Sequence, residues 1–329
     1  MPNYNGVWSL STQYQYAADW PSQPFLALVK SGYHNSGTTY RKNVDLINLA
    51  SAGNATDFGD METALSYTVG FGSSTRCIFG TGFTGSNSNI LEFTTLATTG
   101  SFTDFGDAIS DYGQTACSSN VRGILAGGYN GGSGRNNISY VTIASAGNTT
   151  DFGDLSAVKG YVGSAASPTR GVISGGTTSD TSNALNVIDY ITIASAGNAS
   201  DFGDMSGARF YHAGLSSNTR AVFGGGAGGT VGSANANAIN IIEYVTIGST
   251  GNTTDFGDLT VSRGQLAATS GSNGRGVFAG GGTGSASGTD NNTVDFISIA
   301  TTGNATDFGD LTSAWVNSGA TSGSHGGIA

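Results

Sequence analysis

Cysteine is nearly absent: Cys77 and Cys117 are the 2 in 329 residues. They fall at unrelated points of the chain, so no recurring disulfide framework holds it together, and both read as reduced core residues. Proline is as scarce, at 4 residues, which excludes collagen and proline-rich disorder although glycine reaches 54. Charged side chains make up only 10% of the chain, so its surface is built largely of Ser, Thr, Asn and Gly. The 3 histidines, His34, His212 and His325, are scattered, and no His-based triad, metal cluster or cofactor site is legible. Residues 1 to 20 hold no apolar run of signal or membrane length. The expectation is synthesis in a bacterial host cytoplasm and no membrane insertion. A net charge of -10, spread along the chain, makes nucleic acid a poor partner.

What is present is repetition. Asp-Phe-Gly-Asp occurs 6 times, as Asp57/Asp60, Asp104/Asp107, Asp151/Asp154, Asp201/Asp204, Asp255/Asp258 and Asp307/Asp310, with intervals of 47, 47, 50, 54 and 52 residues. Each unit aligns column by column. An apolar run, strand b, is opened by Arg76, Arg122, Arg170, Arg220 or Arg275 and usually ends in a glycine doublet such as Gly175-Gly176. Strand c follows, as in Ile188-Asp189-Tyr190-Ile191-Thr192-Ile193, with apolar groups on both faces. A Gly-Asn turn and the Asp-Phe-Gly-Asp stretch give a short strand d, and strand a of the next unit comes after it. Four short strands in about fifty residues, rich in Thr, Val and Ile, describe one blade of a β-propeller. The whole predicts an all-β, six-bladed, kelch-like propeller over residues 24 to 329. Residues 311 to 329 supply the strand that the first blade lacks, so both termini close the ring.

Interval lengths separate two faces. The last residue of strand c precedes the first Asp by 8 residues in every unit, and the second Asp precedes the Arg by 15 to 17. From the Arg to the next motif the interval runs from 28 to 35, so the variation falls in the b-to-c loops. Insertions on one face mark the surface that contacts something else. The first three of these loops hold Tyr33, His34, Tyr40, Arg41, Phe83, Tyr129 and Arg135, which are the candidate binding residues, suited to a host glycan or receptor or a neighbouring subunit. Residues 1 to 23 stand outside the repeat and carry Tyr4, Trp8, Tyr14, Tyr16 and Trp20, a candidate assembly arm.

Other motifs read as structure. Six copies of Asp-Phe-Gly without a His-Arg-Asp loop exclude a kinase. The twelve aspartates are assigned to the repeat turn, each strand-opening Arg pairing with an Asp of the motif in its own or the preceding blade, and no metal is expected there. A second set of acids, Asp45, Glu92, Asp189, Glu243 and Asp295 in strand c, with Ser139 as the exception, reads as solvated ends along the channel or a blade edge.

Several segments carry a resemblance. Ala-Ser-Ala-Gly-Asn-Ala-Thr-Asp-Phe-Gly-Asp (50 to 60), Arg-Gly-Val-Phe-Ala-Gly-Gly-Gly (275 to 282), Ser-Gly-Ser-His-Gly-Gly-Ile (322 to 328) and Gly-Val-Trp-Ser-Leu-Ser-Thr-Gln-Tyr-Gln (6 to 15) resemble virion structural proteins of tailed bacteriophages, notably marine and cyanobacterial ones. The resemblance implies a kelch-like propeller on the particle, in a tail, fibre or surface appendage. It implies other virion proteins as partners and no enzymatic residues. A free, lectin-like propeller is the alternative.

Overall fold

The computed structural model describes residues 25–34, 39–96, 100–179, 183–231, 237–283 and 289–323. Among these residues every regular element is a strand, and the strands form six antiparallel four-stranded sheets plus one two-residue hairpin, Tyr129–Asn130 with Ser133–Gly134. The protein is a six-bladed β-propeller. The arm residues Tyr4, Trp8, Tyr14, Tyr16 and Trp20 lie outside the described residues.

Blade 4 shows the pattern: strand a is Gly163–Ala166, b is Arg170–Ser174, c is Val187–Thr192 and d is Ser200–Asp204, paired in that order. Blade 1 takes its inner strand from the far end of the chain, Gly319–Ser322, which pairs with Leu26–Lys30. This join makes the ring continuous and leaves strand b of blade 1 without an open edge. The chain therefore leaves the ring at Phe25 and Gly323 on one face, the face of the a-to-b and c-to-d turns.

Strand alternation sends one set of side chains to each neighbouring blade. In blade 4, Ile188 and Tyr190 pack toward blade 5, and Ile191 and Ile193 toward blade 3. Six such clusters fill the six joints, and the motif Phe lies in each: Phe58, Phe105, Phe152, Phe202, Phe256 and Phe308 are all buried. Burying each contributes about 2 kcal/mol. Cys77 and Cys117 are free and buried, with burial pushing both thiols up to about 12.

The Asp-Phe-Gly-Asp stretch forms strand d as predicted, so the turn role also assigned to its aspartates is corrected: they stand in that strand. Asp57 and Asp60 lie in the outer strand Thr56–Leu65, Asp104 and Asp107 in Thr103–Asp107, and Asp151 and Asp154 in Thr150–Asp154. Asp201 and Asp204 lie in Ser200–Asp204, Asp255 and Asp258 in Thr254–Asp258, and Asp307 and Asp310 in Thr306–Asp310. Glycine between two aspartates suggests a chain reversal, but the preceding Gly-Asn segment makes the reversal and the motif then pairs along strand c. Both aspartates take part: Asp60 faces Asn43, Asp107 faces Ile90 and Asp258 faces Ile241, while Asp57, Asp104 and Asp255 face Asp45, Glu92 and Glu243. The Phe between them is the extra residue of a bulge, which explains how a glycine-containing strand keeps its partner. The second aspartate stays at the surface, exposed at Asp60, Asp107 and Asp154 and half-buried at Asp204, Asp258 and Asp310.

The motif Gly adopts a left-handed φ, +146° at Gly153, and a Cβ there would lie 2.5 Å from the carbonyl oxygen of Gly197 in the next blade's c-to-d turn. Asn198 of that turn accepts from the Asp154 N–H (3.0 Å), and Gly197 N donates to Phe152 O (2.7 Å). The same joint recurs where Asn148 accepts from the Asp107 N–H, Asn252 from Asp204, Asn304 from Asp258 and, closing the ring, Asn54 from Asp310 (3.1 Å). The five Gly-Asn-x-Ser/Thr segments are thus blade-to-blade docking turns.

The expected Arg–Asp pairing is corrected as well. Among the described residues no strand-opening Arg lies in an ion pair with a motif Asp. Each guanidinium instead stacks on the aromatic ring of its own strand c, 4.5 Å from the centroid for Arg170 over Tyr190, and donates to the carbonyl just past strand c in the next blade, Ile247 O at 2.8 Å. The other four repeat it: Arg76 to Ile143 O, Arg122 to Ile193 O, Arg220 to Ile299 O and Arg275 to Leu49 O. The aspartates could not compete, since the first Asp of every motif is exposed and well solvated. Blade 1 has Leu26 in the Arg column and Leu46 in place of the ring, so staple and platform are lost together.

Replacing Arg170 by Ala should lower the unfolding free energy by about 2 kcal/mol. Asp151→Asn and Asp201→Asn should each change it by less than about 0.5 kcal/mol. Urea denaturation of the three variants checks this, and equal losses would reinstate the ion pair.

Candidate binding face

The b-to-c loops share their face with the d-to-a crossovers, the segments that carry the chain from one outer strand to the next inner strand. Five of the six crossovers are clipped in place by an acid of strand c. In blade 4, Ser156 Oγ donates to Asp189 (2.6 Å) and Lys159 Nζ lies 2.9 Å from the same carboxylate. Arg263 and Thr260 hold Asp295 at 2.9 and 2.6 Å, and Arg209 and Ser206 hold Glu243. The expectation of solvated acids is therefore overturned: Asp45, Glu92, Asp189, Glu243 and Asp295 are all buried and receive these donors. Burial lowers the Lys159 pKa and the Asp189 carboxylate raises it back in part.

The exceptions compensate one another. Blade 3 has Ser139 where the acid belongs and Asp111 at the cation's place, with the Arg135 Nε 3.8 Å from Asp111. Blade 2 keeps its acid, Glu92, but has Leu65 in the cation column. There Lys30 from blade 1 is buried and donates to Arg41 O (2.7 Å) and to Leu65 O. Burial lowers Lys30 to about 7, against the opposing pull of Glu92.

Two residues beyond the clip the chain turns through a left-handed conformation to enter strand a. Tyr67, Tyr161, Tyr211, Gln265 and Asn317 have φ between 56° and 60°, and Gly113 takes the sixth place at 65°. Consecutive members are joined by backbone hydrogen bonds of 2.8 to 3.0 Å: Tyr161 N to Gly113 O, Tyr211 N to Tyr161 O, Gln265 N to Tyr211 O, Asn317 N to Gln265 O and Tyr67 N to Asn317 O. Left-handed backbone is costly for a non-glycine residue. The clips and this ring over-determine it. The reward is geometric: the three tyrosine rings meet over the propeller axis, Tyr161–Tyr211 at 4.3 Å, Tyr67–Tyr161 at 5.7 Å and Tyr67–Tyr211 at 6.5 Å.

The sequence-predicted aromatics join this centre. Tyr33 reaches Tyr67 (6.4 Å), Tyr40 reaches Phe83 (6.1 Å), Phe83 reaches Tyr112 (5.5 Å) and Tyr129 reaches Tyr161 (4.5 Å). Tyr33, Tyr40 and Phe83 are half-buried, whereas Tyr129 is fully buried with its hydroxyl donating to Thr177 O (2.8 Å) and so supports the patch from beneath. His34 and Arg41 sit apart from that centre beside Trp315, at 5.0 and 5.5 Å, with the His34 Nδ1 2.7 Å from Asp290. Arg135 is exposed. The surface is thus an uncharged, hydroxyl-rich aromatic patch over blades 1 to 5, flanked by arginines. Tyr67, Tyr112, Tyr161 and Tyr211 were not singled out from sequence. The signal was present, because Tyr67, Tyr161 and Tyr211 each follow the second Asp by 7 residues.

His212 follows Tyr211 and is buried, with its Nε2 2.8 Å from Ser174 Oγ. Burial, then Arg209 and Lys159, hold its pKa well below the usual value. Among the described residues no three His, Cys, Asp or Glu are grouped so as to hold a metal ion. Comparison with protein-family models and with curated proteins finds no match for this chain.

Lys159→Met leaves Asp189 buried without its cation and should cost about 3 to 5 kcal/mol of stability, as measured by chemical denaturation at neutral pH. On acidification below pH 6.5 the unfolded chain binds a proton at His212 that the folded chain refuses. Stability should therefore fall as pH drops, by up to about 1.4 kcal/mol per pH unit. His212→Gln should remove that component of the slope between pH 6.5 and about pH 5.

Proposed function

We propose that this protein is a non-enzymatic structural component of a tailed-phage particle. The constant face and the arm of residues 1 to 23 meet other virion proteins, and the variable face presents its aromatic patch to a host glycan or receptor or to a neighbouring subunit. The observation that carries this reading is polarity. Phe25 and Gly323 leave the ring at blade 1 on the face opposite the tyrosine patch, so an anchor on that side leaves the patch uncovered. The phage-like segments support the particle as the setting. The patch supports contact with neutral sugar faces or a protein groove, since tyrosine gives large contact area with few rotatable bonds.

A free lectin-like propeller is favoured by the same rings. It would use equivalent pockets in several blades, whereas the aromatic loops here belong to blades 1 to 3 and the later three loops are rich in Gly, Ser, Ala and Asn.

Deleting residues 1 to 22 should leave a propeller of unchanged melting temperature that is missing from purified particles, and retained incorporation would refute the anchoring role. Tyr33→Ala combined with Tyr40→Ala should reduce particle adsorption to host cells about tenfold or more while incorporation persists. Normal adsorption by that double variant would remove the patch from the attachment reading.

A further inference from the structure

A cavity of about 120 Å³ lies on the propeller axis directly behind the three tyrosine rings, walled by the first residues of all six inner strands. Deeper along the axis it ends at a belt in which the serine closing one inner strand bonds to the neighbouring one: Ser216 Oγ to Ala166 O, Ser270 Oγ to Ser216 O and Ser322 Oγ to Ser270 O. None of the lining side chains is an Asp, Glu, Lys or Arg.

Six residues on this wall, Thr68, Gln114, His212, Gln265, Asn317 and Ser318, carry buried side-chain polar atoms without a hydrogen-bond partner. Gln265 and Asn317, neighbours in the left-handed ring, are only 6% and 5% exposed, yet the Gln265 Oε1 and the Asn317 Nδ2 have no hydrogen-bond partner. A buried polar atom without a partner carries the full desolvation penalty. The pair consists of one acceptor and one donor on residues joined by a 2.9 Å backbone bond. A hydroxyl serves both at once, donating to the first and accepting from the second. Side-chain hydrogen bonds linking Tyr211 to Tyr67, Tyr161 and Gln265 place further hydroxyls beside them.

The wall is mixed: Val69, Val162, Leu266 and several alanines and glycines stand beside the unpartnered polar groups. Waters, each needing two to four polar partners, can meet those groups, but a molecule carrying both hydroxyls and CH faces matches the polar and apolar parts of the wall together. The size is close to that of an apolar cavity of about 150 Å³ that holds benzene, a six-heavy-atom ligand. We propose that the axial cavity is a binding site for a small uncharged polyol of three or four carbons, whose hydroxyls engage Gln265 and Asn317 and whose CH faces lie on the aliphatic wall and the tyrosine rings.

The test uses the full chain with glycerol as the probe, followed by ligand-observed NMR in solution and by a crystal structure grown with and without glycerol. The expected result is saturable binding at one site per chain, with glycerol density between Gln265 and Asn317. Affinity should fall at least tenfold in Gln265→Met and in Asn317→Leu, with circular dichroism showing both folded at the assay temperature; Asn317→Leu should melt lower than wild type, because a φ of 56° suits Asn better than Leu. Density for ordered water alone, or binding unchanged in both variants, would overturn the proposal. Should either variant fail to fold, the wild-type density and saturation decide it.

Discussion

The docking of one blade's Gly-Asn turn into the glycine of the preceding blade's outer strand is the contact on which the ring depends. At Gly153 the backbone of the next blade comes so close that a single methyl group could not be placed between them. Such an approach fixes both the distance and the angle between blades, and six of them, five made by a Gly-Asn turn and one by Gly100-Ser101 against Gly59, fix the closure. The Arg staple adds a second, charge-assisted link from each strand b to the next blade's strand c at five of the six joints. Neither link involves the variable loops, which leaves the opposite face free to change length without disturbing the ring.

On that opposite face a different constraint operates. Buried acids hold the crossovers, and the crossovers hold the left-handed residues whose side chains converge on the axis. The clip and the convergent residue are two positions apart, as Lys159 and Tyr161 or Arg209 and Tyr211, so a salt bridge within one blade orients a ring at the centre of the molecule. Blade 3 exchanges the charges, with Asp111 facing Arg135, and blade 2 draws Lys30 from its neighbour. The requirement is a crossover held at a fixed height, and several polar solutions meet it. A buried pair of this kind contributes more to specifying geometry than to net stability.

Much of this was legible in the chain. Strand c, with apolar residues on both faces, could only be an interior strand between two packed neighbours, and the fixed interval around Asp-Phe-Gly-Asp marked the constant side of the ring. The Arg–Asp pairing was misread because sequence spacing places charges near one another without saying which is solvated. The first aspartate of each motif points to water, and the arginine finds a carbonyl in the next blade, more than 60 residues away in the chain. The motif was read rightly as strand d, but Asp60, Asp107 and Asp258 were also given a turn role because a glycine beside an acid is the usual mark of a reversal. In the ring that glycine serves a neighbouring backbone instead, and the strand runs on through it. The acids of strand c were misread for the converse reason. Their position two residues from the variable face suggested solvent, but the crossover of the same blade folds over them.

The sequence by itself determined the repeat, the four-strand unit, the closure by both termini and the division into a constant and a variable face. The repeat, the unit and the two faces follow from local periodicity and counting within one fifty-residue unit, and the closure follows because the first unit lacks a strand that the end of the chain supplies. Only the tertiary structure decided which polar groups are buried, that the tyrosines of three different blades meet at one point, and that a polar-edged cavity lies behind them. Those outcomes arise from bending the array into a ring, which brings together side chains that no interval along the chain connects.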